Sequence, residues 1–428
     1  MTQLLGISLP DHWTTSPLKH VTTLLNRGST PNYVDNGPVR ALSQAANQDS
    51  GIDWQRTRFH DYHGDSAKLR GRLRQGDVII NSTGTGTLGR IGQFEGNLDG
   101  IPSMADSHLT VARFRPDFVY PRFAYYWLRS QPFQEYIYAA LVVGATNQIE
   151  LNRDRLAVAD LPLPPMNEQR HIADFLDAET AHTDRLIALQ REIITRLHER
   201  DVAILDAEID QLARKAGTLP FRRFTAGVDQ GSSPQCEGIP AADGEWGVLK
   251  VSCLRPGEFF PDENKRLPVN LAPDVTHEVH EGDLLITRAN TPQLVGSTAV
   301  VPPGRSRLLL SDKIFRVRLL PKLDPHYLTA IARGTQIRSL CSATSNGASQ
   351  SMANIRFEEI KDWPIPAASL KEQRDLVVRM NSVWDITRRL RTKLQHQLTL
   401  LNERRQALIT SAVTGQIDLS TASTRGDS

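Results

Sequence analysis

The sequence contains one glycine-rich motif that could bind a cofactor, the segment Gly84–Gly89, which reads GxGxxG and follows an apolar stretch. In dinucleotide-binding proteins such a segment ends a strand and opens a helix whose N-terminus faces the pyrophosphate. Here residues 90–97 contain two further glycines and an asparagine, which do not favour a helix. We therefore expect a polar loop at the end of a strand and not a cofactor site.

Three other segments carry side chains that could hold a metal ion. Pro261–Lys265 contains the carboxylates and the Glu-x-Lys element of many nucleases, but these residues are contiguous and cannot converge on one Mg²⁺ from neighbouring strands, so we expect a turn. His60–His63 and His277–His280 each lack a second ligand pair at structural-zinc spacing. The sequence also contains neither a nucleophile motif nor a Walker lysine loop. We predict no catalytic residue, no metal site and no cofactor in this chain.

The remaining polar residues of interest follow predicted strands or repeated glycines. Arg side chains read guanine, Asn and Gln read adenine, and Ser and Thr contact base edges or phosphates. The same residue types are also common in ordinary turns, so the assignment is a hypothesis. The candidates for DNA contact are Thr30, Ser82, Thr83, Thr85, Thr87, Arg90, Asn147, Gln148, Ser233, Thr287, Arg288, Asn290, Thr291, Gln293, Ser349 and Gln350.

A basic segment precedes the glycine-rich motif. Lys68, Arg70, Arg72 and Arg74 occupy alternate positions, and an extended chain would place all four side chains on one face. We predict that Arg70 and Arg72 on this face follow DNA phosphates, while a solvated strand face is the equally open alternative.

The elements that position these residues occur twice in the chain. Five short matches recur in the same order, each shifted by 202 to 206 residues. The matching pairs are Gly28–Pro31 with Gly231–Pro234, Gly76–Ile80 with Gly282–Ile286, Gly144–Thr146 with Gly347–Ser349, Leu161–Pro164 with Trp363–Pro366, and Glu168–Arg170 with Glu372–Arg374. An internal duplication therefore fixes the architecture as two similar domains.

A long segment without Gly or Pro follows each Glu-Gln-Arg sequence and has helical periodicity. Apolar residues recur at spacings that alternate between four and three, the pattern of a coiled-coil seam. The predicted seam residues are Leu176, Leu186, Ile193, Leu197 and Ile204 in the first helix and Met380, Leu390, Leu394, Leu401 and Leu408 in the second. Two helices that each pack on their own domain would be the alternative.

The connections favour antiparallel helices, because the second domain follows the end of the first helix and leads directly into the second. We predict an α+β fold with pseudo-two-fold symmetry, in which two mostly β domains are separated by an antiparallel coiled coil in a dumbbell. The predicted boundaries are a first recognition domain at 1–166, a long helix at 167–214, a second domain at 215–370, a second helix at 371–412 and a flexible tail at 413–428. Strands are expected at 77–81, 109–114, 247–251, 283–287 and 314–320, with helices at 121–128 and 325–333.

The composition is that of a soluble globular protein. The 428 residues include 50 Lys and Arg against 48 Asp and Glu, so that the net charge of +2 does not itself indicate a polyanionic partner. No apolar run is long enough to cross a membrane, and the three cysteines form no CxxC pair, which fits a reducing compartment. We expect the chain in the cytoplasm.

The order of these segments resembles the DNA-specificity subunit of type I restriction-modification systems. The resemblance rests on the doubled series of GxTP, GD before an apolar strand, GAT, and a Pro-rich stretch that leads into Glu-Gln-Arg and a long helix. The opening Leu9–Trp13 and the closing sequences RQALIT and VTG also fit. It covers nearly the whole chain, with Glu179 and Arg200 as departures at seam positions.

This resemblance implies that each domain reads one half of a split double-stranded DNA target, while the helices set the half-site spacing, near one helical turn. It implies docking of adenine methyltransferase subunits, expected as two copies, which would bind S-adenosylmethionine. A separate restriction or translocase subunit would use ATP and Mg²⁺. The unlike loops TGTGTLG and RANTPQLVG favour two different half-sites. The alternative function is a structural coiled-coil scaffold that does not read DNA.

Overall fold

The computed structural model of the chain describes residues 3–144, 149–344 and 353–417. The chain divides into two compact units. The first unit comprises residues 1–190 and 395–428, and the second comprises residues 191–394. Each unit contains a sheet-rich domain together with part of two long helices, Met166–Ala216 and Leu370–Val413.

The first unit is built on two four-stranded sheets. The first sheet has the antiparallel order Ile91–Gln93, Val78–Asn81, Leu109–Phe114 and Thr22–Arg27, and the second has the order Ser103–Ala105, Val39–Leu42, Arg58–His60 and Tyr33–Val34. Two-stranded pairs are Gln3–Leu4 with Ile7–Ser8, Thr14–Pro17 with Asp160–Leu163, Asn47–Gln48 with Gly51–Ile52, and Val142–Val143 with Glu150–Leu151. The shorter helices are Leu18–Val21, Pro121–Arg129, Gln131–Tyr136 and Arg153–Ala157, with single turns at Trp54–Arg56, Ser66–Lys68 and Ile137–Leu141.

The second unit repeats the first sheet. Its four strands have the order Thr225–Gln230, Ile314–Leu319, Leu284–Thr287 and Thr298–Val300, and a three-stranded sheet has the order Asn264–Arg266, Gly247–Leu249 and Leu308–Leu309. Two-stranded pairs are Thr218–Pro220 with Pro364–Pro366, Leu254–Arg255 with Glu258–Phe259, and Ala289–Asn290 with Ala353–Asn354. The helices are Pro325–Ile331, Thr335–Thr344 and Phe357–Ile360, with single turns at Phe221–Arg223, Val251–Cys253 and Val275–His277. The predicted α+β class with long helices and sheet-rich domains is confirmed.

One central strand in each unit is covered on both faces. Successive side chains of a strand point to opposite sides, so Val78 and Ile80 pack in the cluster that includes the helices, while Ile79 packs in a separate cluster between strands and loops. In the second unit Leu284 and Ile286 likewise face the helices, and Leu285 faces the other side. Burial on both faces explains why both sequences read as uninterrupted apolar runs after Gly-Asp.

The repeated Glu-Gln-Arg sequence attaches each long helix to its domain through the glutamine. The buried Gln169 donates from Nε2 to the carbonyls of Phe118 (3.0 Å) and Pro164 (2.9 Å), and its Oε1 accepts from Tyr120 N (2.8 Å). Gln373, also buried, makes the same three hydrogen bonds with the equivalent backbone groups of the second unit, at 3.0, 2.8 and 2.8 Å. The motif is therefore a structural attachment point.

The long helices run antiparallel in each unit, because the residue number on one helix falls as that of its partner rises. The pairs in the first unit are Asp184 with Arg405 (3.2 Å) and Gln190 with Gln397 (3.4 Å), and those in the second are Asp201 with Thr387 (2.9 Å) and Glu208 with Arg379 (2.6 Å). Among the described residues, no helix has both the length and the apolar composition needed to cross a membrane.

The predicted seam residues differ in their burial. Leu176 and Met380 are fully buried, and Leu197, Ile204, Leu394, Leu401 and Leu408 are half-buried. The prediction was wrong for Leu186, Ile193 and Leu390, which are 36%, 47% and 40% exposed, while the neighbouring Ile187 is buried. An α-helix has 3.6 residues per turn, so a strict repeat of 3.5 rotates away from the buried face over successive heptads.

Candidate nucleic-acid interface

In the first unit the repeated segments meet at one end of the central sheet. Gly28 N donates to Leu109 O (2.9 Å), and Ser82 N donates to His108 O (2.8 Å). Leu151 N in turn donates to Ser82 O (2.9 Å). We call this place the loop end of the first unit, and its segments are residues 28–31, 82–89, 106–109 and 149–151.

The second unit has the same arrangement. Arg288 N donates to Lys313 O (2.8 Å), and Ile355 N donates to Arg288 O (2.9 Å). Gln230 Nε2 also donates to Asp312 O (2.7 Å). The loop end of the second unit therefore consists of residues 231–234, 288–296, 311–314 and 353–355. In both units, segments far apart in the sequence share one surface.

A glycine without space for a side chain explains the repeat of GSTP as GSSP. An ideal Cβ on Gly28 would lie 2.1 Å from the carbonyl oxygen of Ala105, and one on Gly231 would lie 1.9 Å from that of Leu310. Only glycine lets this backbone approach the neighbouring turn so closely. The repeated glycine therefore holds the first segment of each loop end against the turn that precedes the strand at Leu109 or Ile314.

The GxGxxG segment forms turns and not the start of a helix. Gly84, Gly86 and Gly89 have positive φ angles of 104°, 75° and 81°, which side chains rarely adopt. Gly89 N donates to Asn81 O (2.8 Å), and the equivalent bond in the second unit joins Gly296 N to a strand carbonyl at 3.0 Å. The glycines shape the polar loop expected from the sequence.

The predicted DNA-contacting residues differ in their exposure. The exposed ones are Thr30, Arg70, Thr85, Ser233, Thr291 and Gln293, and the half-buried ones are Arg72, Thr83, Thr87, Arg90 and Arg288. The buried ones are Ser82, Thr287 and Asn290. Asn147, Gln148, Ser349 and Gln350 lie outside the described residues.

The three buried residues have structural contacts and are corrections to the predicted set. Ser82 Oγ lies 2.5 Å from Thr110 Oγ1 within the sheet. Thr287 Oγ1 donates to Leu294 O (3.1 Å), and Asn290 Oδ1 accepts from the following backbone N–H at 2.8 Å. Their polar atoms form hydrogen bonds inside the protein, so these side chains shape the loops and are not available to a ligand.

Two arginines at the loop ends, Arg90 and Arg288, also form hydrogen bonds within the protein. Arg90 Nη1 donates to Asn47 O (3.0 Å) and Gln48 Oε1 (3.2 Å), which ties the loop to a neighbouring hairpin. Arg288 Nη1 donates to Asp312 O (3.2 Å). Among the described residues this is the one hydrogen bond of the Arg288 guanidinium, whereas the Arg90 guanidinium makes two.

The turn before each repeated strand belongs to the loop end, and the sequence prediction missed it. The exposed His108 has its Nδ1 2.7 Å from Thr83 Oγ1. The buried Asp106 accepts from His108 N (2.8 Å) and from the Tyr33 hydroxyl (3.3 Å), and burial raises the pKa of this carboxyl group. The available signal was a polar pair directly before each matching apolar run, SH in one copy and DK in the other.

The basic segment is not the strand that its alternation predicts. Ser66–Lys68 is a single 3₁₀ turn, and Gly71 has a φ angle of 75°, which interrupts an extended chain. The four basic side chains therefore do not share one strand face. The segment nevertheless lies at the loop end, because Ser29 Oγ donates to Arg70 O (3.0 Å).

The acidic segment at 261–265 is occupied by internal contacts. Asp262 lies 3.1 Å from Arg305 Nη1, and Glu263 lies 2.8 Å from Lys250 Nζ. Because hydrogen bonds from Lys250 and Ser252 favour the ionised form, the pKa of Glu263 is lowered. Within the described part of the chain, no three His, Cys, Asp or Glu side chains form a group that could hold a metal ion.

Comparisons with known proteins give matches to type I restriction-modification specificity subunits. Residues 10–197 match the family model of the type I restriction modification DNA specificity domain. The type I restriction enzyme EcoEI specificity subunit of Escherichia coli is 31% identical over 172 residues, which covers 40% of this chain and 29% of that protein. The EcoKI specificity subunit of Escherichia coli strain K12 is 23% identical over 434 aligned positions, which cover 96% of this chain and 90% of that protein.

A solved structure has the same fold. It comes from work on complex assembly and conformational transition of the type I R-M system, and it is 18% identical with a TM-score of 0.64. The match covers 96% of this chain and all of that one. The first half of the chain therefore matches the type I restriction modification DNA specificity domain, and nearly the whole chain is similar in sequence to the EcoKI specificity subunit.

Proposed function

We propose that this chain is the non-catalytic recognition subunit of a type I restriction-modification complex and that each unit reads one half of a bipartite DNA target. The observation that carries the proposal is the convergence of four equivalent segments at each loop end. The backbone at the two loop ends is equivalent, while the side chains differ, as in TGTGTLG and RANTPQLVG. Because unlike side chains present unlike donors and acceptors, the two half-sites differ and the target is asymmetric.

The exposed side chains at each loop end have the chemistry of DNA readout. In the second unit Arg288, Thr291 and Gln293 combine a guanidinium fork, a hydroxyl and an amide, which suit guanine, phosphate and adenine respectively. In the first unit Thr85 and His108 supply a hydroxyl and an imidazole. The first loop end therefore has the smaller set of base-reading groups among the described residues.

The outer faces of the long helices are the proposed docking surfaces for adenine methyltransferase subunits. Leu186 and Leu390 occupy equivalent positions, 204 residues apart, and both are exposed. Ile193 and Ile386 add further exposed apolar surface to the helices. Equivalent apolar positions in the two halves would suit two copies of the same partner.

The chemistry of such a complex belongs to its partners. The methyltransferase subunits would bind S-adenosylmethionine and methylate adenine, and a restriction subunit would use ATP and Mg²⁺. This chain would position the DNA and fix the separation of the half-sites. A rival role is a coiled-coil scaffold that assembles partners without reading DNA.

Methylation mapping separates these two functions. DNA from cells that carry this gene and the adjacent methyltransferase gene would be sequenced for methylated adenine and compared with DNA from a strain lacking this gene alone. We expect methylation at one asymmetric, bipartite motif to disappear in the deletion strain and to return on complementation. Unchanged methylation, with the methyltransferase active, would reject the DNA-reading role and favour the scaffold.

A further inference from the structure

Two structurally equivalent segments at the loop ends have opposite charge. Residues 68–77 read KLRGRLRQGD, and residues 274–283 read DVTHEVHEGD. Arg74 N donates to Asp77 Oδ2 (2.8 Å), and His280 N donates to Asp283 Oδ2 (2.9 Å). The shared hydrogen bonds establish that the two segments occupy the same position in their units.

Further contacts confirm the equivalence and leave the charges exposed. In the first unit Arg113 of the sheet donates to the carbonyl of Arg72 (3.0 Å). In the second unit its equivalent, Arg316, donates to the carbonyl of Glu278 (2.7 Å). Lys68, Arg70 and Arg74 are exposed, and within the described residues their side chains form no ion pair. The basic segment therefore presents uncompensated positive charge to the solvent.

The corresponding segment of the second unit presents negative charge. It contains Asp274, Glu278, Glu281 and Asp283, and it has no lysine or arginine. Among the described residues, Asp283 is the one carboxylate of this segment that pairs with an arginine guanidinium, Arg316 Nη1 at 3.4 Å, while Asp274 and Glu278 lie 3.3 and 3.9 Å from the imidazoles of His277 and His280. Carboxylates at this place would repel a phosphate backbone, so the two segments cannot make the same contact.

The basic segment is built into the loop end. Arg70 O accepts from Ser29 Oγ at 3.0 Å, and Ala105 N donates to Gly71 O at 2.9 Å. An ideal Cβ on Gly71 would lie 3.3 Å from Gly28 Cα, so the segment packs directly on the repeated glycine. Positive charge and candidate base-reading groups thus share one surface in the first unit.

We propose that the first unit anchors DNA through phosphate contacts of Lys68 and Arg70, and that the second unit lacks this anchor. The proposal rests on the DNA-reading function proposed above. Lysine and arginine that neutralise phosphates release counterions, which makes the affinity fall with salt. The first unit therefore supplies more of the sequence-independent, salt-sensitive affinity, and the second unit contributes mainly base readout.

The test measures the salt dependence of DNA binding by the full chain in complex with its methyltransferase. Dissociation constants for duplexes with and without the mapped motif would be measured between 50 and 200 mM KCl. The logarithm of the association constant falls linearly with the logarithm of the salt concentration, and each lost phosphate contact makes this fall less steep by about 0.9. The slope of the K68A/R70A variant should therefore be smaller in magnitude than that of the wild type by about 1.8. Between 50 and 200 mM KCl the affinity of the variant should therefore fall by a factor roughly 12 times smaller than that of the wild type. The difference should appear for both duplexes.

Two variants control for charge and folding. K19A/R115A removes the same charge from exposed positions at the opposite end of the same sheet, and it should keep the wild-type slope. K68R/R70K keeps both charges and should also keep it. If K68A/R70A and K19A/R115A change the slope equally, the anchor assignment is wrong.

Other outcomes separate this inference from the function on which it rests. If the wild-type complex prefers its motif but K68A/R70A leaves the slope unchanged, the anchor is refuted and the reading function stands. If K68A/R70A instead loses the methyltransferase while the slope stays the same, the basic segment binds protein and the anchor is again refuted. If the wild-type complex has no preference for the motif, the reading function itself fails.

Discussion

The two units agree in their interiors and differ at their loop ends. Gln169 and Gln373 make the same three backbone hydrogen bonds, and Gly28 and Gly231 both lack room for a Cβ. At the surface, by contrast, a basic segment in one unit corresponds to an acidic segment in the other.

Residues that are repeated in the sequence need not be the residues that carry the function. The five repeated motifs include the glutamine that attaches each helix and the glycine that allows close backbone approach. Those residues are identical in the two units because both units use the same scaffold. The residues that would distinguish two DNA half-sites are found where the copies have diverged.

The largest expected effect comes from removing the shared glutamine. Gln169→Leu and Gln373→Leu each remove three hydrogen bonds to the backbone, one buried and two partly buried, so each should lower the free energy of unfolding by about 3 kcal/mol. For a unit of this size that corresponds to a fall in Tm of roughly 10 °C, measured by calorimetry. Arg170→Ala, at an exposed neighbouring position, is the matched control. A large loss for one glutamine and none for its equivalent would disprove the shared attachment.

A smaller loss is expected when a methyl group is added at the close backbone contact. In Gly231→Ala the new Cβ would collide with Leu310 O, so the loop must move, at a cost of about 2 kcal/mol. Gly238→Ala is the control, because an ideal Cβ there has no atom within 4 Å. Thermal unfolding of both variants measures the difference. Equal stabilities would mean that the contact at Gly231 relaxes freely.

The fold could be read from the sequence to a large extent, whereas the candidate site could not. Local signals sufficed for the strand Leu109–Phe114 and for the long helices. The association of Gly28, Ser82 and His108 depends on hydrogen bonds between distant segments, which no local pattern encodes. The alternation of basic residues was misleading because Gly71, with its positive φ, interrupts the extended chain.

The next expected effect concerns recognition and not stability. Arg288→Ala should weaken the binding of target DNA by about 1–3 kcal/mol and so reduce its methylation. It should also relax the sequence requirement at one half-site, because it removes a guanidinium from the second loop end only. Thr85→Ala should affect the other half-site and serves as the reciprocal variant. Methylation of a target library measures both. Loss of both half-sites, or of complex assembly, in Arg288→Ala would assign that arginine a structural role.

A still smaller effect is expected from the buried carboxyl group of the first loop end. Its equivalent in the second unit is the neutral Ser311, whereas burial raises the pKa of Asp106. A raised folded-state pKa means that the ionised form is disfavoured by folding, so wild-type stability falls as the pH rises through it. Asp106→Asn should therefore be about 1 kcal/mol more stable than the wild type at pH 7. The advantage should shrink towards pH 4, and calorimetry across this range tests it; a constant difference would exclude the carboxyl group as its cause.

The smallest effect distinguishes the starts of the two long helices. Glu372 bonds to Lys215 Nζ (2.6 Å) and to Ser369, and these contacts lower its pKa to about 2, whereas its equivalent Glu168 bonds to the Trp13 indole (3.1 Å). A lowered folded-state pKa gives stability that is complete above the unfolded value of about 4.5 and is lost as the pH falls towards 2.

Glu372→Gln should therefore reduce the thermal stability of the second unit near pH 6, with the deficit narrowing as the pH falls below about 4.5. Glu281→Gln, which changes an exposed carboxylate without an ion pair among the described residues, is the control for lost charge. Thermal melts from pH 3 to 6 measure the difference. A deficit that stays the same at every pH would assign the role of Glu372 to its neutral hydrogen bonds with Ser369, since only the ion pair with Lys215 requires the ionised carboxylate.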